Sequence, residues 1–237
     1  MKKIGENVFV NIFANVIITL VIVVIFSVSL STNVFTTASA DGNKAIYKGN
    51  EQNKNVSLMF NVYQGTEYID GILQVLENHK VKATFFVGGI WVEKNNETLK
   101  KIADAGHEIG NHGYLHLNHD KISFEKNKQE ISLCHDLVLQ TTGIEMNLFA
   151  PPSGAYSSAT LTAADTLGYK TVMWSKDTID WRDKDSSLIF NRATKNISNG
   201  DLVLMHPTKD TLKALDDIIT EIMSKGLMLV TVSENLA

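Results

Sequence analysis

The chain has 237 residues, of which 44% are hydrophobic and 20% are charged, so one ordinary globular domain with a short extra segment fits this length. Its formal net charge of -4 gives no indication of a nucleic-acid partner. The single cysteine, Cys134, excludes an intramolecular disulfide, and we expect it to be a small apolar residue on a helix.

The first predicted element is an N-terminal export segment, residues 1–40. Lys2 and Lys3 precede a run from Val8 to Leu30 that carries no charge and is dominated by Ile, Val, Leu and Phe. About 20 predominantly apolar residues span a bilayer as a helix. Two interpretations stay open. Either the segment remains as a membrane anchor, or a signal peptidase cuts after Ala38-Ser39-Ala40. Both predict an extracytoplasmic protein that is membrane-anchored or secreted to the cell wall.

A polar linker at residues 41–55 is predicted to lead into a domain at residues 56–237. The predicted strands are residues 56–61, 82–87, 107–111, 146–150, 170–174, 201–206 and 227–231. The predicted helices are residues 66–79, 91–105, 123–141, 158–167, 185–196 and 208–225. This alternation indicates parallel strands with helices outside the sheet, and seven strands favour an α/β barrel over an open sheet.

Polar side chains recur where the predicted strands end. Asn61 ends the first strand, and His112 and His116 follow the third. In a parallel α/β barrel, functional side chains gather at the C-terminal ends of the strands, so we expect these residues to meet. Two imidazoles four residues apart can bind one Zn²⁺ or a similar ion, although paired histidines also occur on solvated loops. His107 and His119 are predicted to be surface or hydrogen-bonded structural residues.

A second polar group follows the fifth and sixth strands. Asp177, Asp180 and Trp181 form either a polar turn or a functional cluster in which a carboxylate orients a histidine and the indole lines a sugar site. His206 ends the sixth strand, where a lone histidine is more often structural. A hydrogen bond from the His206 ring to Asp180 would fix the tautomer of His206 and raise its pKa for general-acid work.

From about Val56 to the C-terminus, these motifs resemble those of the polysaccharide deacetylases, the family four carbohydrate esterases. The resemblance implies a distorted seven-stranded β/α barrel of the TIM type. It also implies removal of acetyl groups from N-acetylated sugars such as those of peptidoglycan or chitin, and in some members from xylan. N-acetylated polysaccharide is therefore the expected partner, together with the membrane if residues 1–40 are not cleaved.

Three of the five motifs of that family are intact, and they imply roles for individual residues. His112 and His116 match His-x-x-x-His and would bind the metal. His206 lies in the fifth motif and would be the general acid, supported by Asp180 of the fourth motif. The remaining residues are implied to contact the substrate: Trp181, Asp177, Pro151 and Pro152.

The other two motifs depart from the family pattern. Thr-Phe-Asp-Asp-Gly is replaced by a stretch in which the catalytic base falls on Asn61 and a metal-binding aspartate falls on Val62. Arg-Pro-Pro-Tyr is replaced by Ala150-Pro151-Pro152-Ser153, so Ala150 stands where the family has an arginine that holds the base. An arginine without its aspartate would be an unpaired buried charge, and their joint loss leaves a self-consistent neutral site.

Two functional predictions follow from this resemblance, and a structural exported domain without a ligand is a third alternative. The first is a metal-dependent hydrolase that removes N-acetyl groups from a cell-wall or other extracellular polysaccharide. Asp177, Tyr63 or a second histidine state would then replace the base, and two neutral histidines favour Zn²⁺ or Co²⁺ over Mg²⁺. The second is a catalytically impaired relative that binds glycan at the cell wall.

Overall fold

Eight strands pair within residues 44–237, the part of the chain that the computed structural model describes. They are β1 (Asn55–Val62), β2 (Thr84–Val87), β3 (Glu108–Asn111), β4 (Leu148–Phe149), β5 (Lys170–Thr171), β6 (Lys176–Asp177), β7 (Leu202–Met205) and β8 (Met228–Leu229). All seven predicted strands are confirmed, and the short strand β6 was not predicted. The predicted export segment, with its hydrophobic helix, lies outside the described residues.

Eight α-helices connect or follow these strands in the described part of the chain. They are α1 (Ile69–Asn78), α2 (Gly89–Lys94), α3 (Asn96–Asp104), α4 (Phe124–Thr142), α5 (Ser158–Thr166), α6 (Ser186–Thr194), α7 (Lys209–Ser224) and α8 (Val232–Asn235). The single helix predicted at residues 91–105 is wrong, because Asn95 adopts φ -137° and ψ 36° and divides it. The Asn95 side chain donates a hydrogen bond to the Trp91 carbonyl at 2.8 Å, which stabilises this break. No helix in residues 44–237 is both long and apolar enough to cross a membrane.

The sheet is a curled half-barrel of parallel strands in the order β5-β4-β3-β2-β1-β7-β6, with β8 paired beside the start of β1. The predicted parallel pairing is therefore confirmed, and the sheet has one strand more than predicted. Closure into a complete barrel is not confirmed, because no pairing joins β5 to β6 between residues 44 and 237. Only residues 172–175 separate these two strands, and a parallel pair needs a crossover of about a dozen residues or more.

Part of the predicted linker hydrogen-bonds to the domain in this gap. The Ile46 amide donates to the Thr171 carbonyl at 2.9 Å, and the Met173 amide donates to the Ile46 carbonyl at 2.7 Å. Further along, the Gly49 amide donates to the Gly200 carbonyl at 2.7 Å. The described part of residues 41–55 therefore lies along the end of β5 and the start of β7, and the domain boundaries themselves stay predictions.

The alternation of side chains along β1 separates the two apolar clusters of the domain. Phe60 and Val62 are fully buried in the larger cluster, which includes side chains of α1, α4 and α7. Met59 belongs to the smaller cluster on the other face of the sheet, together with Ala150. Asn61 follows Met59 by two residues, so it lies on this inner face, where the strand ends open into a cavity.

Cys134 lies on α4 and is fully buried, as predicted for a small apolar residue. Its Sγ donates a hydrogen bond to the Val87 carbonyl at 3.2 Å. Burial raises the pKa of the thiol to about 12, so the thiol is protonated at neutral pH.

Candidate active site

A cavity of about 300 Å³ lies at the C-terminal ends of the strands, where the sequence predicts the functional residues. Its lining residues are Asn61, Tyr63, His112, His116, Ser153, Trp174, Asp177, Trp181, Leu204 and His206. A more open groove of about 570 Å³ lies between α6 and α7, but it contains none of the predicted site residues. The smaller cavity is therefore the candidate site.

Most of the predicted site residues meet at this cavity. Asp180 does not line the cavity but is buried in hydrogen-bond contact with His206. Pro151 and Pro152, which were predicted to contact the substrate, are buried and do not line the cavity. Ser153, which has φ 57°, takes their place on the wall.

His112 is held in one tautomer by the chain behind it. Its Nδ1 lies 2.7 Å from the Ala150 carbonyl oxygen, so the neutral ring donates through Nδ1 and keeps a lone pair on Nε2. Burial, followed by the nearby His116, lowers the pKa of His112 well below its usual value. The ring is therefore neutral at physiological pH.

The loop that carries His116 is fixed by a buried carboxylate. Glu130 of α4 is fully buried, and its Oε2 accepts hydrogen bonds from the amides of Tyr114 at 3.1 Å and Leu115 at 2.6 Å. Its Oε1 lies 3.1 Å from Lys126 Nζ, which balances the charge. His116 itself has φ 55°, and its ring centre lies 5.1 Å from that of His112.

His206 is oriented by an extensive hydrogen-bond network on Asp180. Oδ1 of Asp180 lies 2.8 Å from His206 Nδ1, and Oδ2 accepts from the His206 amide at 2.6 Å. Thr211 Oγ1 of α7 also donates to Oδ2, at 2.5 Å. This arrangement leaves Nε2 of His206 for the cavity, as general-acid work requires.

The residues at and just after the end of β1 contribute an amide and a phenol ring to the cavity wall. Asn61 lines the cavity, and its buried Oδ1 has no hydrogen-bond partner within residues 44–237. The Tyr63 ring centre lies 4.0 Å from that of His116, and 6.2 Å from those of His112 and His206. Burial and the charge of Asp180 raise the pKa of Tyr63, so its hydroxyl is protonated at neutral pH.

The donors present do not fit a typical three-ligand zinc site. Neutral imidazoles such as His112 and His116 are suitable ligands, but a protein zinc site takes three or four ligands. Among the described residues, no group of three or more His, Cys, Asp or Glu side chains could hold a metal ion. The pair of histidines therefore lacks the carboxylate that would complete such a site.

Several features of the site were not apparent from the sequence. Ser153 and Trp174 line the cavity, but a serine after two prolines and a tryptophan after a short strand carry no recognisable spacing signal. His119 is buried rather than on the surface, and its Nδ1 lies 2.7 Å from Asn127 Oδ1. The hydrogen-bonded structural role predicted for it is confirmed.

His107 is also buried and hydrogen-bonded, and it predicts a pH dependence of stability. Its Nδ1 accepts from the Ala83 amide at 3.2 Å, and burial, aided by the charge of Lys82, lowers its pKa to about 4. An unfolded histidine titrates near 6.5, so the unfolded chain binds more protons below that pH. The stabilisation that depends on neutral His107 should be fully present above about pH 6.5. The free energy of unfolding should then fall by about 3 kcal/mol as the pH falls to about 4.

Urea denaturation followed by circular dichroism at several pH values measures this effect. The variant His107→Gln should lose most of the decrease between about pH 6.5 and 4, since glutamine does not titrate. An unchanged pH dependence in this variant would show that other groups cause it.

Comparison with known proteins places these features in context. Residues 48–172 match a family model described as polysaccharide deacetylase. The chain is 42% identical over 189 residues to the uncharacterized protein YlxY of Bacillus subtilis, with 80% of this chain and 59% of YlxY covered. It therefore spans less than two thirds of that relative. It is 33% identical to the peptidoglycan-N-acetylmuramic acid deacetylase PdaA of B. subtilis, covering 77% of this chain and 71% of PdaA.

Solved structures of CE4 family proteins are also similar to this chain. BA3943 of Bacillus anthracis, described as a CE4 family pseudoenzyme, superimposes with a TM-score of 0.80 at 37% identity, covering 82% of this chain and 69% of BA3943. A BA3943 mutant described as having restored enzymatic activity superimposes equally well, with a TM-score of 0.80 at 35% identity and coverage of 82% and 72%.

Proposed function

The chain belongs to the polysaccharide deacetylase family, and on this premise we propose that its domain binds N-acetylated cell-wall glycan with little or no deacetylation. The observation that carries the proposal is Asn61 at the position of the family's catalytic base. An amide cannot accept a proton near neutral pH. The pocket thus keeps groups that recognise a sugar but lacks the group that activates water.

The neighbouring side chains do not replace the missing base. The Tyr63 hydroxyl holds its proton, because its pKa is raised by burial and by Asp180. Asp177 Oδ1 accepts the Ile179 amide at 2.8 Å, which commits one carboxylate oxygen to the local turn. Peptidoglycan is the glycan that we propose, since PdaA is named as a peptidoglycan deacetylase, and the pseudoenzyme description of BA3943 supports the loss of activity.

Binding and hydrolysis can be separated in one experiment. Isothermal titration of the full-length chain with N-acetylglucosamine oligomers should give measurable binding. The same mixtures, assayed for released amine with and without added Zn²⁺, should show no release above background. Absence of binding to these oligomers and to purified peptidoglycan would refute the proposal.

A metal-dependent N-deacetylase is the second candidate, and one observation favours it. The His206–Asp180–Thr211 network, which orients the general acid, is complete. If this candidate is correct, amine release will require Zn²⁺ or Co²⁺, stop with a chelator and disappear in His206→Ala. The same variant should leave glycan binding within about threefold of the unaltered chain.

Trp181 provides a test of the sugar-binding site itself. The indole lines the cavity and is 57% exposed. The Arg182 guanidinium carbon lies 6.0 Å from the ring centre, so the opposite face of the indole is the one available for stacking on a pyranose ring. Trp181→Ala should weaken oligomer binding about tenfold, which corresponds to about 1.4 kcal/mol. Met228→Ala is a matched control, because Met228 is also 57% exposed but lies on β8, beside the start of β1. Equal effects of the two substitutions would contradict the assignment.

We also propose an extracytoplasmic location, in which the chain is membrane-anchored or secreted. The uncharged run from Val8 to Leu30 supports it, and so does a glycan ligand that lies outside the cell membrane. Protease added to intact protoplasts should then digest the domain or find it already released into the medium. A domain protected until the cells are lysed would contradict this location.

A further inference from the structure

Three imidazole rings line one cavity, yet they do not converge on a common point. His112, His116 and His206 are all lining residues, but within residues 44–237 they form no cluster that could hold a cation. The group that lies close to all three is the ring of Tyr63, whose centre is 4.0 Å from the nearest imidazole and 6.2 Å from the other two.

The backbone fixes Tyr63 on this side of the sheet. Val62 ends β1 and points into the larger apolar cluster, and the Gly88 amide donates to its carbonyl at 2.9 Å. The next residue, Tyr63, lines the cavity. A Cβ at Gly88 would lie 3.5 Å from the Cβ of Tyr63, in ordinary van der Waals contact, so the phenol side chain begins close against the end of β2.

The phenol ring takes space that a cation between the histidines would need. A zinc ion lies about 2.1 Å from each ligating nitrogen and carries further ligands or water on its open side. The Tyr63 ring packs against the face of His116, with an angle of 32° between the two planes. An apolar ring at this position excludes water and offers no lone pair to a metal from its face.

We propose that Tyr63 keeps cations out of the pocket, so that the missing carboxylates are only part of the reason for the incomplete metal site. Tyr63 is thus a specificity-determining residue that places an aromatic ring, in the place of a cation, beside the imidazoles of the cavity. The proposal concerns the same cavity as the proposed function, but it does not require that the cavity bind glycan.

Cobalt binding to the untagged full-length chain tests this inference, since Co²⁺ bound to imidazole gives a visible absorption. The unaltered chain should show no saturable binding in the cavity. Tyr63→Ala should bind Co²⁺ at least about tenfold more tightly, and adding His112→Ala should abolish the gain. Tyr63→Phe keeps the ring and should behave like the unaltered chain. Tyr47→Ala, which removes an exposed tyrosine elsewhere, is the matched control.

Two outcomes would overturn the proposal. The first is saturable, His112-dependent Co²⁺ binding by the unaltered chain that is as tight as that of Tyr63→Ala. The second is a folded Tyr63→Ala chain, verified by circular dichroism, with no gain in binding. Glycan titrations are scored separately, so a failure of glycan binding leaves the cobalt result interpretable.

Discussion

A chain carrying Asn61→Asp and Tyr63→Ala is expected to release amine from N-acetylated glycan at least about 100-fold faster than the unaltered chain when Zn²⁺ is supplied. A carboxylate at residue 61 would line the cavity with His206 and supply a base, and general acid–base catalysis contributes about 10²–10⁴ in rate. Loss of the Tyr63 ring opens the space beside His116. Val62 is left unchanged, because it is fully buried in the larger apolar cluster and an aspartate there would be an unpaired buried charge. Fluorescent detection of released amine from N-acetylglucosamine oligomers measures the rate.

The comparison that decides this prediction is the same chain with Tyr63 retained. If Tyr63 excludes the cation, Asn61→Asp alone should remain at least about tenfold slower than the double variant. Ala150 is left unchanged, because it is fully buried in the smaller apolar cluster and an arginine there would overpack it. Equal rates for the two variants would show that the Tyr63 ring does not obstruct the site. No amine release by either variant would show that a carboxylate at residue 61 does not restore activity.

Asp180→Ala is expected to lower the free energy of unfolding by about 3 kcal/mol. Asp180 is nearly completely buried and accepts hydrogen bonds from three groups, namely the amide and ring of His206 and the hydroxyl of Thr211. Alanine leaves these donors without an acceptor in a site that water enters poorly. Urea denaturation of the variant and the unaltered chain measures the difference.

A surface aspartate that also contacts a histidine provides the control. Asp216 lies 2.8 Å from His79 Nε2, but its side chain is 66% exposed, and exposed pairs contribute little. Asp216→Ala should therefore change the free energy of unfolding by less than about 1 kcal/mol. A similar decrease in the free energy of unfolding in both variants would mean that burial does not increase the contribution of the Asp180 network to stability.

The order of strands and helices could be predicted because the apolar runs differ clearly in length from the helical patterns between them. Strand β6 was missed since Lys176–Asp177 is only two residues long and carries no apolar run. The division of one predicted helix at Asn95 was missed because apolar spacing continues across it, whereas the break depends on one side chain that binds the Trp91 carbonyl. Barrel closure depends on the short β5–β6 connection, which strand counts do not report.

The site was predicted in its outline, and geometry supplied the rest. His112, His116 and His206 could be placed at one cavity because they end or follow parallel strands. From the sequence, Tyr63 is predicted only as a substitute base. Its position in the sequence does not indicate that its ring packs on the imidazole of His116. The buried position of Pro151 and Pro152 likewise depends on how the chain turns after β4, which a motif does not specify.

Because Cys134 is the single cysteine of the chain, its reaction with a thiol reagent can measure local opening of the domain. A sulfur that is fully buried and protonated reacts with a thiol reagent only after α4 has moved away from the Val87 carbonyl. The rate of labelling thus reads out how often this part of the domain opens. A bound sugar that stabilises the domain should lower the labelling rate of Cys134, even where no product is formed.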